Sequence, residues 1–177
     1  MLHNANLLIE WLLPWPKGLE LLCTAVYGPR GGSEGHSNEN NAYYALDFDR
    51  PWEGEIMPET PILAIADGRV ERVGVKKNHK WGCYVLISHL NGFSSLYAHL
   101  KYRPIVHRKD IIVRGQQIGF LGETGTNYGP HLHFQLFHKD KCLEETKLAR
   151  PEPISEYGIL TRGIWYKSNN KLIKGEK

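Results

Sequence analysis

The stretch Gly129-Pro130-His131-Leu132-His133-Phe134-Gln135-Leu136 decides the fold class. Polar and apolar side chains alternate along it with a period of two. His131, His133 and Gln135 fall on one face, and Leu132, Phe134 and Leu136 fall on the other. On an α-helix the two histidines would point about 200° apart, because a helix has about 3.6 residues per turn. The stretch therefore predicts a strand that packs one face on the core and presents two neighbouring imidazoles on the other.

A lone His-x-His strand is more often a polar outer face than a functional site, but this chain supplies further candidates upstream. They are His36 in a Gly-, Ser- and Asn-rich loop, Asp47 near the end of a strand-like run, and His99 at the end of another. Catalytic zinc sites use three protein ligands and leave the fourth position to water. Two imidazoles and a carboxylate suit zinc. The sequence therefore predicts a zinc site from His36, Asp47 and His133, and leaves His99 and His131 for acid–base chemistry.

Size and composition favour one globular domain. The chain has 177 residues, of which 41% are hydrophobic and 23% are charged, which is ordinary for a protein with its own core. Its 18 glycines and 10 prolines favour strands and tight turns over long helices. The net charge of +3 is modest and suits a partner that is anionic on average, but it does not identify one. We expect no nucleic-acid partner and a monomeric protein. No apolar run is long enough to cross a bilayer.

The chain order is typical of a mainly β protein. Strands are predicted at 21–27, 43–48, 58–75 (two, about Asp67-Gly68), 83–90, 93–100, 111–121 (two, about Gly115-Gln116) and 129–137. The pair Asn91-Gly92 between two apolar runs predicts a hairpin with a two-residue type I′ turn, which would place Tyr84 opposite His99. The repeated strand–turn–strand units suggest a weak internal duplication.

Three segments follow from these patterns. Residues 1–22, interrupted by Pro14-Trp15-Pro16, are predicted as an N-terminal arm, and residues 23–143 as the catalytic domain. Residues 144–177 are predicted as a C-terminal extension that packs on the domain or trails from it. The apolar start Leu7–Leu13 is short, contains Glu10 and lacks a basic lead, so it is not expected to act as a signal peptide. The three cysteines form no Cys-x-x-Cys pair, which argues against a structural zinc knuckle.

The motifs resemble the lysostaphin-type (LytM, β-lytic) zinc endopeptidases over roughly residues 14 to 140. The matching elements are His36, Leu46-Asp47-Phe48, Tyr97-Ala98-His99-Leu100, Gly115-Gln116-Gln117-Ile118-Gly119, Thr124-Gly125 and Gly129–Phe134. Many members have a short His-x-x-x-Asp spacing, whereas Asp47 follows His36 by eleven positions. The longer spacing is similar to that of the β-lytic, staphylolysin-like branch.

The resemblance implies a fold, an activity and residue roles. The fold is a distorted sandwich of antiparallel sheets, a duplicated hybrid motif with a catalytic groove. The activity is hydrolysis of peptide bonds in bacterial peptidoglycan, outside the cell or in the periplasm, as a secreted enzyme with one zinc ion. His36, Asp47 and His133 would hold the zinc, and His99 and His131 would be catalytic. Apart from the resemblance, Tyr97 lies two positions before His99 on the same predicted strand face, where it would assist as a substrate-binding residue or line the groove or the core.

Two other classes remain open from the sequence. One is a catalytically silent member of the same fold that binds the cell wall or activates another hydrolase. The chain retains all five predicted site positions, which weighs against it. The other is a sugar-phosphotransfer domain with paired histidines, which would not require Asp47 or the Gly-Pro-His-Leu-His-Phe ending.

Overall fold

The computed structural model describes residues 11–26, 45–52, 58–75, 79–126, 128–138 and 160–173. Within these ranges the chain forms ten strands and one short 3-10 turn, Leu90–Gly92. The strands are β1 Glu20–Ala25, β2 Ala45–Asp49, β3 Pro61–Leu63, β4 Gly68–Val75, β5 Cys83–Ser88, β6 Phe93–Leu100, β7 Ile111–Ile112, β8 Gln117–Phe120, β9 Leu132–His138 and β10 Trp165–Lys167.

Eight strands form one sheet in the order β10-β1-β2-β9-β6-β5-β4-β7, and β3 pairs with β8 in a second, two-stranded sheet. All of these strand pairs are antiparallel. The prediction of a mainly β fold built from antiparallel sheets is confirmed. Strand β9, which contains His133 and directly follows His131, lies between β2 and β6 near the middle of the large sheet.

The two strand–turn–strand units of the sequence pair with each other rather than within themselves. In the first unit β3 pairs with β8 and β4 pairs with β7, so both partners come from the second unit. The corners about Asp67-Gly68 and Gly115-Gln116 therefore connect strands of different sheets. Gly115 adopts a φ of 83°, which suits a glycine at such a corner. The predicted strands are present, but their partners depend on contacts distant in sequence.

The Asn91-Gly92 hairpin forms, but its predicted two-residue turn is wrong. A three-residue turn, Leu90–Gly92, connects the strands, and His89 N–H donates to the Phe93 carbonyl across it. Gly92 has a positive φ of 76°. The register that follows pairs Val85 with Tyr97, one position away from the predicted pairing.

The termini of the described chain belong to the same folded unit as the central strands. Trp11, Leu13 and Trp15 are buried in the main core cluster. Strand β10 pairs with β1. Because β1 spans Glu20–Ala25, the predicted boundary between residues 22 and 23 falls inside this strand. The buried Asn170 amide donates to the carbonyls of Leu13 and Ala64 and so ties the C-terminal segment to both. No helix in the described ranges has the length and apolar character to span a membrane.

Candidate active site

Adjacent strands bring the predicted site residues together on one face of the large sheet. Asp47 of β2 pairs with His133 of β9, and His133 pairs on its other side with Ala98 of β6. Paired residues in a sheet share a face, so Asp47, His133 and Ala98 point the same way. Leu132 and Phe134 point into the main core instead. The alternation predicted for the His-x-His strand is confirmed.

The side chains on this face are in contact. His133 Nδ1 lies 3.0 Å from Asp47 Oδ1, and His131 Nε2 lies 4.0 Å from Asp47 Oδ2. The ring of His99 has its centroid 4.7 Å from that of His131 and 5.6 Å from that of His133. Side-chain exposure is 7% for His133, 10% for His131 and 18% for Asp47. Three imidazoles and a carboxylate thus form one nearly buried cluster, contributed by three neighbouring strands and the segment leading into β9.

His99 reaches this cluster because the backbone of β6 departs from regular alternation. Tyr97 pairs with Phe134 on the core face, so strict alternation would also turn His99 toward the core. The β5–β6 register shifts between Cys83 and Val85, and His99 adopts a φ of 61°. A positive φ is uncommon for a residue with a side chain, and such outliers concentrate at functional sites. The irregularity turns the His99 ring toward the other two histidines.

Regular alternation keeps Tyr97 on the core face, away from the site. Tyr97 is fully buried; its hydroxyl accepts the Ile65 N–H at 3.0 Å and lies 2.9 Å from Ser95 Oγ. Burial raises the pKa of the phenol, and the hydrogen bonds with Ser95 and Ile65 oppose that rise. The Tyr97 side chain lies in the core, which was one of the positions expected for it.

Backbone carbonyls fix the tautomers of two histidines. His99 Nδ1 lies 2.9 Å from the Thr124 carbonyl, and His131 Nδ1 lies 2.9 Å from the Gly129 carbonyl. A carbonyl only accepts, so each neutral ring carries its proton on Nδ1. The Nε2 atoms of His99 and His131 are then left with lone pairs, and that of His131 faces Asp47. Both rings are thereby able to accept a proton at Nε2.

Burial sets the charge state of His99. It lowers the pKa of His99 to about 4, the proximity of His133 contributes in the same direction, and the Thr124 carbonyl opposes both. The imidazole is therefore neutral at neutral pH. A neutral imidazole with a free lone pair is the state that a general base needs.

A second carboxylate beside the site was missed by the sequence reasoning. Asp49 lies two positions after Asp47 on the same strand, hence on the same face, and its Oδ1 accepts a hydrogen bond from Thr24 Oγ1 at 3.1 Å. Burial raises the pKa of Asp49, whereas the hydrogen bond from Thr24 and the nearby His131 oppose that rise. The period of two that grouped His131 with His133 would have grouped Asp49 with Asp47.

The donor set fits zinc as far as the described residues extend. Two donors that each lie about 2.0–2.1 Å from a tetrahedral ion are roughly 3.3 Å apart, and His133 Nδ1 and Asp47 Oδ1 are 3.0 Å apart. The third predicted ligand, His36, lies outside the described residues. Within the described ranges no group of three or more His, Cys, Asp or Glu side chains is arranged to hold a metal. The pair formed by Asp47 and His133 is compatible with two of three ligands.

A nearly buried carboxylate–imidazole pair beside two imidazoles in a fixed tautomer is an arrangement that suits hydrolytic chemistry. The model of Peptidase family M23 matches residues 53–144, which is slightly more than half of the chain. The chain belongs to this family. His99, His131 and His133 lie within the match, whereas Asp47 and His36 precede it.

Similar proteins agree with this assignment. Peptidoglycan DD-endopeptidase ShyA of Vibrio cholerae is 36% identical over 93 residues, which are 52% of this chain and 21% of that protein. A zinc-containing peptidase from Vibrio cholerae superposes with a TM-score of 0.56 at 26% identity and covers 74% of this chain and 38% of its own. The M23 metalloprotease pseudoalterin gives a TM-score of 0.60 at 21% identity, with 82% and 78% covered, which shows the shared fold. The chain spans about a fifth of the length of the curated relatives it matches.

Proposed function

We propose that this chain is a zinc-dependent endopeptidase that hydrolyses peptide bonds of bacterial peptidoglycan. One observation carries the proposal: Asp47, His131, His133 and His99 converge on a single face of the sheet, with carboxylate and imidazole donors in contact. Membership of Peptidase family M23 supports a peptidase, and a relative named as a peptidoglycan DD-endopeptidase supports the substrate class.

The zinc ligands in this proposal are His36, Asp47 and His133. A similar structure is described as a zinc-containing peptidase, which supports the choice of metal. When bound, zinc supplies Lewis acidity toward water and toward the scissile carbonyl. A cell-wall substrate implies that the protein acts outside the cell or in the periplasm.

The catalytic pair in this proposal is His99 and His131. Each ring donates its Nδ1 proton to a backbone carbonyl, so each has an Nε2 lone pair for the reaction. One imidazole accepts a proton from the attacking water, and an imidazolium returns a proton to the departing amine. Their low exposure excludes bulk water and strengthens interactions with charge that develops on the peptide.

The test uses purified protein and purified peptidoglycan. We expect about one zinc per chain, clearing of a turbid peptidoglycan suspension, and loss of clearing in the presence of a chelator. Mass analysis of the released fragments would identify the bond that is cut. A protein that binds the suspension without zinc and without releasing fragments would instead support the catalytically silent alternative.

A further inference from the structure

Thr124 contacts the ring of His99 and also hydrogen-bonds to β6, the strand that contains His99, and to the neighbouring strand β5. Its carbonyl accepts the His99 Nδ1 proton at 2.9 Å. Its hydroxyl accepts the backbone N–H of Cys83 at 2.8 Å and donates to the Leu100 carbonyl at 2.7 Å. Cys83 and Leu100 are the residues paired beside the register shift of β5 and β6. One threonine therefore joins the two strands where they become irregular and also holds the imidazole turned outward there.

The backbone at His99 requires such support. A left-handed conformation costs a residue with a side chain on the order of 1–2 kcal/mol. His99 N–H donates to the Trp81 carbonyl at 3.0 Å. The His99 ring donates to the Thr124 carbonyl, and the Thr124 hydroxyl donates to the carbonyl of the next residue, Leu100. The ring direction thus depends on the placement of Thr124.

Two glycines let Thr124 approach this closely. A Cβ atom on Gly82 would lie 2.0 Å from the Thr124 carbonyl oxygen, and one on Gly125 would lie 2.3 Å from the Gly82 nitrogen. Both glycines have positive φ values, 57° and 77°. The loop that contains Thr124 is therefore packed against the start of β5 without space for side chains at these positions.

We propose that Thr124 is a positioning residue that sets the tautomer and direction of His99, a role that rests on the proposed peptidase function. The carbonyl selects the Nδ1-protonated ring, and the hydroxyl fixes that carbonyl relative to β5 and β6. Thr124 itself does not touch the reacting atoms. Its loss leaves His99 present but misdirected, and a displacement of about 1 Å in a catalytic group is able to cost on the order of 100-fold in rate.

The decisive comparison is Thr124→Val against Thr124→Ser in the full chain. Valine keeps the branched shape but removes the hydroxyl, whereas serine keeps the hydroxyl. With a soluble cross-linked peptidoglycan fragment as substrate, we expect Thr124→Val to lower kcat by about tenfold or more, with KM within about twofold of wild type and zinc content unchanged. We expect Thr124→Ser to retain kcat within about threefold.

A second readout does not depend on activity. Nitrogen-15 NMR of the metal-free protein distinguishes protonated from unprotonated ring nitrogens. We expect a single Nδ1-protonated form of His99 in the wild type and in Thr124→Ser, and a mixture of tautomers in Thr124→Val. If valine prevents folding, Thr124→Ala replaces it in both measurements.

Four outcomes are distinguishable. Wild-type kcat and a wild-type ring spectrum in the variant without the hydroxyl would overturn the positioning role, as would equal losses in the valine and serine variants. A wild-type protein that does not cut peptidoglycan would refute the proposed function, while the ring spectrum would still decide how His99 is held. Loss of zinc in Thr124→Val would show a structural effect on the metal ligands and contradict the proposal.

Discussion

The two faces of the β6–β9 strand pair differ in what their side chains do. On one face Tyr97 packs against Phe134, with ring centroids 5.4 Å apart, inside the main core cluster. On the other face Ala98 stands beside His133, the imidazoles of His131 and His133 approach Asp47, and the His99 ring lies beside both of them. Since side chains alternate along a strand, two adjacent positions serve stability and chemistry separately.

The comparison also shows how each face treats polar groups. On the core face the Tyr97 hydroxyl is bonded to a backbone N–H and to Ser95, which compensates for its complete burial. On the site face the imidazoles of His99 and His131 each donate the Nδ1 proton to a backbone carbonyl, so their Nε2 atoms are available to other partners. Polar groups in the core are satisfied internally, whereas those in the site retain capacity for a ligand. Substitutions on the two faces should therefore separate activity from stability.

The largest effect is expected on the site face. We predict that His131→Ala retains zinc but loses on the order of 10²–10³ in turnover, because a group that accepts or donates a proton is removed. We predict that His133→Ala loses the metal, because a ligand is removed. Metal analysis and fragment release measure the two properties separately. Equal loss of zinc in both variants would contradict the division into ligand and acid–base roles.

On the core face the expected effect is on stability. Phe134→Ala should lower the free energy of unfolding by about 3–5 kcal/mol, because it removes a buried ring and leaves a cavity. Phe134→Leu is the matched control and should cost less. Denaturant unfolding measures both values. A stable Phe134→Ala protein that has lost activity would mean that the two faces are not independent.

Tyr97→Phe sharpens the comparison because it changes a single oxygen. The Ile65 N–H would lose its acceptor, so we expect a loss of about 1–3 kcal/mol in unfolding free energy. In the folded protein, kcat and KM should remain those of the wild type. A tenfold or greater rise in KM without loss of stability would support a substrate-binding role for Tyr97.

The smallest effect is expected at an exposed ion pair outside both faces. Hydrogen bonds from Tyr102 and then Lys101 hold the pKa of Glu59 below its ordinary value. A carboxyl group whose pKa is lower in the folded state than in the unfolded state stabilises the folded protein at a pH above its unfolded pKa. This contribution to stability is lost as the pH falls through the folded pKa. Glu59→Gln should therefore lower Tm slightly at neutral pH, and the difference should vanish as the pH falls below the lowered pKa of Glu59 in the folded protein. Added salt should reduce it, because the pair is exposed. A difference that persists in acid would exclude the ionised carboxylate as its cause.

Much of the site was predictable because it depends on local alternation. The period of two in the last core strand placed His131 and His133 on the polar side and their apolar neighbours in the core, and the structure confirms this. The direction of the His99 side chain depends on a backbone irregularity that the residue pattern of β6 does not predict. Strict alternation in β6 would have turned His99 toward the core beside Tyr97. The roles assigned to His36, Asp47 and His133 as zinc ligands remain predictions.

The sequence by itself determined the mainly β class and the character of each strand face, because side-chain alternation is a local property of the chain. Only the tertiary structure decided which strands pair, that the two strand–turn–strand units interlock, and that His99 turns toward the site. Those features depend on contacts between residues far apart in sequence, such as Thr124 with Cys83 and Leu100. The free energy of such contacts outweighs the local backbone preference, and it becomes available only when the chain has folded.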